Sequence, residues 1–209
     1  MKHAKKIAAA ATAATLLVGL TACGDSDSAS EAQAEQTAPN GDVFNDADVS
    51  FATDMIPHHA EALVMVDMAD GRDLSPEVQQ LTADIRAAQG PEIEQMVDWL
   101  THWDEPVPET LRDHVNAEDH GMGGDDLGHD SADMPGMMSD EEMDELGDAQ
   151  GHEFETMWLE MMVEHHEGAI EMAQDELADG VFQPAKDLAE GIATSQQAEI
   201  DLMNKLLGS

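Results

Sequence analysis

Two segments of the sequence share one pattern: a methionine, two adjacent histidines three and four residues later, and a second methionine ten residues after the first. The residues concerned are Met55, His58, His59 and Met65 in the first segment and Met162, His165, His166 and Met172 in the second. Thioether sulfur suits soft ions such as Cu(I), and imidazole binds copper as well as zinc. The combination predicts a metal site for copper, with Cu(I) ahead of Cu(II) and Ag(I) as a second soft ion.

Further residues extend the set of candidate ligands. Met96 and Met203 recur at matching positions downstream of the two motifs, and Met161 shares a helix face with His165. A tract between the motifs is rich in methionine and histidine, a composition that can capture metal. Its candidates are His120, Met122, Met137 and Met138. The alternatives are a polar linker for the tract and simple core packing for the methionines.

A di-iron or di-manganese carboxylate centre is the main competing metal site for a helical bundle. Such a centre uses Glu-x-x-His motifs from two helices and further glutamates from the other two. The sequence contains no Glu-x-x-His, and Met55 or Met162 stands three residues before the first histidine of each pair. A soft neutral ligand thus replaces a hard anionic one, which favours copper over iron and manganese.

The two motifs belong to an internal repeat. His58 and His165 are 107 residues apart, and the same offset places Gln89 on Gln196 without a gap. Apolar residues recur at three- and four-residue spacing along two segments of each copy, which is typical of helices that bury one face. The turn and helix-start signals within the copies are Asp70-Gly71 and Ser75-Pro76 in the first and Asp179-Gly180 and Gln183-Pro184 in the second. Ser139 with Glu142 three residues later predicts a capping box where the second hairpin begins.

Each copy therefore predicts a helical hairpin, and two hairpins predict an all-α, antiparallel four-helix bundle. Helices rise about 1.5 Å per residue, so the first histidine of each pair should lie level with a glutamine and a glutamate on the second helix of its own hairpin. We expect His58 to face Gln89 and Glu92. The second histidine of each pair lies about 100° further round its helix, as a ligand, a residue supporting a ligand or a solvated neighbour.

The N-terminal residues have the features of a lipoprotein signal peptide. Three lysines precede an apolar run that ends at Leu20-Thr21-Ala22-Cys23, and Cys23 is the single cysteine. We predict acylation of Cys23 with fatty acids such as palmitate, and therefore a protein anchored to the cell membrane on its extracytoplasmic side. The predicted segments are a signal peptide (1–22), a disordered tether (23–44) and a bundle (45–207) made of a hairpin (45–100), a crossover loop (101–138) and a second hairpin (139–207).

The chain is strongly acidic. It has 46 acidic and 8 basic residues, for a formal net charge of −38. Such a charge attracts cations and argues against nucleic acid as a partner. The expected partners are metal ions, the lipid membrane, and proteins that donate or accept copper, whose identity the sequence does not indicate.

The motifs around Met55 and Met162, together with the run Met134–Met143, resemble the domain of unknown function 305 family over roughly residues 45 to 207. That family is described as helical and ferritin-like, and its CopM-type members as copper-binding proteins outside the cytoplasm. The resemblance implies a ferritin-like four-helix bundle that sequesters copper, confers copper tolerance or transfers copper. The ligands it implies are Met55, His58, His59, Met162, His165 and His166.

Two other functions remain open at this stage. One is a metal-dependent oxidoreductase on the same bundle, in which Glu92 and Glu199 would move protons. The other is a metal-free structural lipoprotein, in which the histidines are packed and hydrogen-bonded. We expect a metal-binding protein and not an enzyme.

Overall fold

The computed structural model describes residues 34–110 and 134–208. This part of the chain is mainly helical, which confirms the predicted all-α fold. Its elements, in chain order, are β1 (Gln36–Thr37), β2 (Val43–Phe44), α1 (Asp46–Ala69), α2 (Pro76–Trp103), α3 (Asp140–Asp148), α4 (His152–Asp179) and α5 (Gln183–Leu207). Among the described helices, none combines the length and the apolar character needed to cross a membrane.

The predicted helix-end signals form caps in the structure. Ser75 caps the start of α2, and Pro76 takes the first helical position, where a missing N–H costs nothing. Ser139 and Glu142 form a capping box at the start of α3, each side chain bonding to the other residue's backbone N–H. Gly71 has a φ of 75° in the turn that follows α1. These local signals set the helix boundaries.

The two hairpins, α1–α2 and α4–α5, are joined through contact between α1 and α4. Met65 on α1 and Met162 on α4 belong to one core cluster, which we call the α3-end cluster because Leu146 of α3 also lies in it. Met55 belongs to the other, which we call the hairpin-end cluster because it contains Phe44 of β2. Early residues of one helix share a cluster with late residues of the other, so α1 and α4 run antiparallel.

The start of the folded region differs from the prediction. The tether was expected to continue through residue 44, but β1 pairs with β2 as an antiparallel hairpin. Phe44 is 2% exposed, and its ring stacks on Trp103 with centroids 4.5 Å apart. Strands of two residues are too short to produce a recognisable alternation in sequence. The signal peptide and residues 23–33 of the predicted tether lie outside the described residues.

The first arm of the second hairpin is divided into two helices. α3 ends at Asp148, and α4 begins at His152, after Gly151 with a φ of 56°. One continuous helix was expected here, because the second hairpin, residues 139–207, was predicted to contain two helices. α2 also differs from the prediction. It extends to Trp103, so residues 101–103 of the predicted crossover loop are helical. α1 is continuous through Pro57.

Arg72 stabilises the chain at the break between α3 and α4. Its guanidinium donates hydrogen bonds to the carbonyl oxygens of Met68, Gly147 and Ala149. It also lies 3.8 Å from the centre of the Phe154 ring, within the range of a cation–π contact. Because those carbonyls lie at helix ends, where no intrahelical N–H reaches them, one side chain satisfies acceptors at the end of α1 and at the end of α3.

Candidate metal centre

The first histidines of the two motifs meet where α1 crosses α4. The rings of His58 and His165 have centroids 3.8 Å apart at an interplanar angle of 39°, and both residues are 0% exposed. Each was expected to face the second helix of its own hairpin. The structure instead brings the two copies of the motif together in one buried centre.

The hydrogen bonds of these two rings fix their tautomers. His58 Nε2 lies 3.0 Å from the carbonyl oxygen of Pro135, and His165 Nε2 lies 3.0 Å from the carbonyl oxygen of His58. Because a carbonyl only accepts, Nε2 carries the proton in both rings and donates it. In a neutral imidazole Nδ1 then bears a lone pair. Both Nδ1 atoms are buried and have no hydrogen-bond partner.

The second histidines, His59 and His166, are also 0% exposed and hold the same tautomer. His59 Nε2 lies 2.9 Å from Glu92 Oε2, and His166 Nε2 lies 2.7 Å from Glu199 Oε2. The sequence prediction had placed Glu92 beside His58 instead. A carboxylate that binds one ring nitrogen orients the other, as it does behind many metal-binding histidines. These Nδ1 atoms also lack a partner.

Burial keeps three of these histidines neutral. Loss of solvation lowers the pKa of His58 from 6.5 to about 3, and the neighbouring His59 lowers it further. The pKa of His165 falls well below its usual value for the same main reason. The pKa of His166 is lowered because burial outweighs its bond to Glu199. These imidazoles therefore keep their Nδ1 lone pairs at neutral pH.

The candidate methionines lie on both sides of the histidines. The α3-end cluster contains Met65, Met162 and Met203, and the hairpin-end cluster contains Met55 and Met96 with Met172 partly buried against it. Each cluster thus combines a methionine that precedes a histidine pair in one copy with one that follows the pair in the other. In the described residues no three His, Cys, Asp or Glu side chains form a group that could hold a metal.

Two core glutamines complete the buried polar set. Gln89 and Gln196 are 2% and 3% exposed, which agrees with their predicted core-facing positions. Both amide atoms of Gln89, and Oε1 of Gln196, lack a hydrogen-bond partner. Apart from the carboxyl oxygens of Glu176, the residues with unpaired buried polar atoms thus follow the repeat.

The segment Met134–Met138, at the end of the predicted crossover loop, packs against the histidines. Besides the bond from His58 to Pro135, the Met138 N–H donates to Glu61 Oε1 over 2.8 Å. A Cβ atom added at Gly168 would lie 2.0 Å from the Pro135 oxygen, so the segment contacts α4 directly. This end of the loop therefore closes one side of the centre.

The structure describes only some of the remaining predicted ligands. Met161 and Met138 are buried in the α3-end cluster, and Met137 is partly buried. His120 and Met122 lie outside the described residues, as does Cys23. The structure thus places the helical candidates, while the predictions for the middle of the loop and for the lipid anchor stay predictions.

Glu61 is a buried residue of the centre that the sequence prediction missed. It is 2% exposed, and its Oε1 lies 3.9 Å from His165 Nε2. Burial raises the pKa of this carboxyl to about 7. A signal was present in the repeat, because the second copy has Gly168 where the first has Glu61. The segment Met134–Met138 packs against Gly168 of the second copy, and Glu61 of the first copy accepts a hydrogen bond from its Met138 N–H.

Comparison with known proteins gives consistent matches. The profile of the domain of unknown function DUF305 matches residues 48–207. The crystal structure of a DUF305 protein from Streptomyces coelicolor, described as secreted, has 33% sequence identity and a TM-score of 0.63, covering 78% of this chain and 91% of that one. A DUF305 fragment from Deinococcus radiodurans has 26% identity and a TM-score of 0.65, covering 83% and 99%. Among curated protein sequences there is no match.

The fold is also similar to that of CopM. The Cu(II)-bound form of CopM has 30% identity and a TM-score of 0.60, with 77% of this chain and 95% of CopM covered. CopM has also been solved with Cu(I), with Ag and without metal, and the Cu(I) form has 28% identity and a TM-score of 0.57.

Proposed function

The chain belongs to the DUF305 family, and we propose that its histidine centre binds a soft metal ion, Cu(I) before Ag(I). Its role would be to sequester copper, to confer tolerance or to pass copper on to another protein. One observation carries this proposal: four buried histidines each donate through Nε2 and leave an unpaired Nδ1 lone pair. The metal-bound forms of CopM, a structural relative, support it.

The energetic argument concerns the unpaired nitrogens. A buried polar atom without a partner costs about 1–3 kcal/mol, and this centre contains four such imidazole nitrogens. A metal bound to Nδ1 would offset that cost without disturbing the Nε2 bonds that orient the rings. His58 and His165 are the primary ligands in this proposal, because they belong to different hairpins and lie in ring contact. His59 and His166 add two carboxylate-oriented nitrogens.

The methionines determine which metal is favoured. Thioethers bind Cu(I) well and bind harder divalent ions poorly. They carry no proton and form no disulfide, so they can bind Cu(I) where thiols would be oxidised. Met55, Met65, Met162 and Met172 are the thioether ligands we propose, with Met96 and Met203 as further candidates.

We place this function outside the cytoplasm. The similarity to a DUF305 protein described as secreted supports that location. The signal peptide and the anchor at Cys23 rest on the sequence and remain part of the proposal. Metal binding, and not catalysis, is the role proposed, because the four histidines are fully buried and the Met134–Met138 segment covers one of them.

The test is a Cu(I) competition titration on protein purified without a histidine tag. We expect His58→Ala with His165→Ala to weaken binding by more than about tenfold, since even loss of a supporting partner costs roughly 10–100-fold. His102→Ala is the matched control, because His102 is an exposed histidine whose ring bonds to the Asp98 carbonyl of its own helix. The ligand assignment is wrong if the double variant binds Cu(I) with the affinity and stoichiometry of the wild type.

Metal analysis of the same preparation separates this proposal from a metal-free structural protein. A copper-binding centre should retain copper after purification from copper-supplemented cells and after dialysis. A protein in which the histidines only pack would contain no more copper than the double variant does.

A further inference from the structure

The α3-end cluster contains methionines that the internal repeat does not duplicate. Besides Met138 of the docked segment, Met161 is buried in it, and Met68, Met143 and Met157 are partly buried against it. At the 107-residue offset the other copy has polar residues in all four places. Those residues are Asp54, Asp175, Gln36 and Ser50, in the same order. These four methionines are therefore additional to the two-fold set around the histidines.

These methionines belong to one cluster and come from three helices, α1, α3 and α4. Met157 and Met161 are four residues apart and share a face of α4. Met143 and Gly147 are likewise four residues apart on α3. A Cβ added at Gly147 would lie 3.5 Å from the terminal methyl group of Met68, so that face of α3 meets the end of α1.

Packing alone does not require methionine at these places. Leu146 already fixes α3 to the bundle, since it is 0% exposed within the same cluster. Leucine has a similar volume, a higher degree of order and no lone pair, and swaps between leucine and methionine usually change stability little. What methionine adds is a soft sulfur donor.

The cluster is also reachable from solvent, unlike the histidines. Met68, Met143 and Met157 are each partly exposed, whereas the four histidines are 0% exposed. α3 is strongly acidic and so raises the local concentration of cations. Its acidic residues are Asp140, Glu141, Glu142, Asp144, Glu145 and Asp148.

We propose that Met68, Met143, Met157 and Met161 form a second soft-metal site, made of thioethers alone, that binds one Cu(I) or Ag(I) ion. The site uses none of the ligands proposed for the histidine centre, so we expect it to bind its ion independently of that centre. A thioether has no proton to lose, so binding here is independent of pH, whereas protons compete for every imidazole ligand.

The experiment compares Ag(I) binding by the full chain with that of a variant carrying leucine at all four positions. Silver is the probe because it does not change oxidation state under these conditions. We expect the variant to lose one bound ion at neutral pH, together with the X-ray absorption signal of a shell containing only sulfur. Met172→Leu, at a partly buried methionine of the hairpin-end cluster, should keep the ion bound only through sulfur and so controls for the loss of a thioether.

The double variant His58→Ala with His165→Ala provides the reciprocal measurement. It should lose the ion bound through nitrogen and keep the ion bound only through sulfur. The proposal of the histidine centre and the proposal of the thioether site are therefore tested separately. Thermal unfolding of the leucine variant establishes that it is folded, and the single variants Met143→Leu and Met157→Leu replace it if it is not. The proposal is overturned if folded variants keep the wild-type stoichiometry and sulfur signal, or if the wild type has no sulfur-only shell.

Discussion

At the scale of single residues, each histidine of the centre divides its two nitrogens between two tasks. Nε2 is held by a carbonyl or a carboxylate, and Nδ1 is left as a buried lone pair. His59 and His166 depend on carboxylates that are only 20% and 19% exposed in their side chains, so the charge behind each ring is weakly screened. The carboxylates therefore tune the basicity of the nitrogens that we propose as ligands.

Glu92→Gln combined with Glu199→Gln tests this role. Glutamine can still accept from Nε2, so the rings should keep their orientation while the negative charge disappears. We expect Cu(I) affinity to fall by roughly 10–100-fold with little change in stability. Glu94→Gln, an exposed glutamate on the same helix α2, is the control. Equal affinities for the double variant and the control would exclude a contribution from the carboxylates.

Glu176 predicts a pH dependence of stability away from the metal centre. It is 1% exposed, and no N–H group reaches its oxygens, because neighbouring Asp48 already accepts the N–H groups of Val181 and Phe182. Burial first, and then Asp48, raise its pKa from 4.5 to about 9. The folded state thus holds a proton that the unfolded state releases, and stability is lost as the pH rises through that range.

Glu176→Gln should therefore flatten the decline in the free energy of unfolding between about pH 5 and about pH 9. The variant should be more stable than the wild type at the alkaline end, because it never has to bury a charge. Urea unfolding of the apo protein across this range measures the effect. Glu171→Gln, an exposed glutamate on the same helix α4, should leave the curve unchanged. Parallel curves for the wild type and Glu176→Gln would contradict the assignment.

At the scale of elements, the centre is built by a crossing of two helices and one docked segment. α1 and α4 approach closely at the histidines, and Met134–Met138 fits against α4 because Gly168 has no side chain. The close approach also needs Gly136, whose φ is 75° and whose Cβ would lie 2.6 Å from the Glu164 carbonyl oxygen. The docked segment therefore depends on two glycines for contact with α4.

Gly168→Ala should push the segment away from the histidines. The added methyl group would overlap the Pro135 carbonyl, so His58 Nε2 would lose its acceptor. We expect a destabilisation of about 1–3 kcal/mol, although alanine is the better helix former. Gly191→Ala on α5, where a Cβ meets nothing within 4 Å, should stabilise by up to about 1 kcal/mol. Urea unfolding of both variants, with proteolysis of the loop, measures the difference; equal stabilisation by both would contradict the close contact.

At the scale of the whole molecule, charge opposes compactness. The chain has a formal net charge of −38 and only 8 lysines and arginines to compensate it. Self-repulsion of this kind favours the expanded state, while it also attracts cations towards the surface. The same acidity that supplies a metal-binding protein with its ions thus reduces the stability of its fold.

Added salt should therefore stabilise the apo protein. The screening length is about 10 Å at 0.1 M ionic strength and about 3 Å at 1 M, so repulsion between surface carboxylates weakens over this range. We expect the thermal midpoint to rise as sodium chloride is added. Tetramethylammonium chloride should have a comparable effect, since screening does not depend on which cation is present. A midpoint that stays constant or falls would show that repulsion does not limit stability.

The sequence by itself determined what is local and periodic. Helix-forming segments, the caps at Ser75 and Ser139 and the repeated Met-x-x-His-His motif could all be predicted, because each depends on residues within a few turns of one another. The all-α class and the family followed from the same features. Both are confirmed, the class by the described helices and the family by the match over residues 48–207.

Only the tertiary structure decided which side chains meet. His58 contacts His165 from the other copy, Glu92 contacts His59, and Pro135 reaches the histidines from the loop. The small β-hairpin and the break before α4 also emerged only there. The physical reason is that periodicity indicates which face of a helix is buried but not which helix covers it. That choice depends on packing between residues far apart in the chain, and here it turned two separate motifs into one centre.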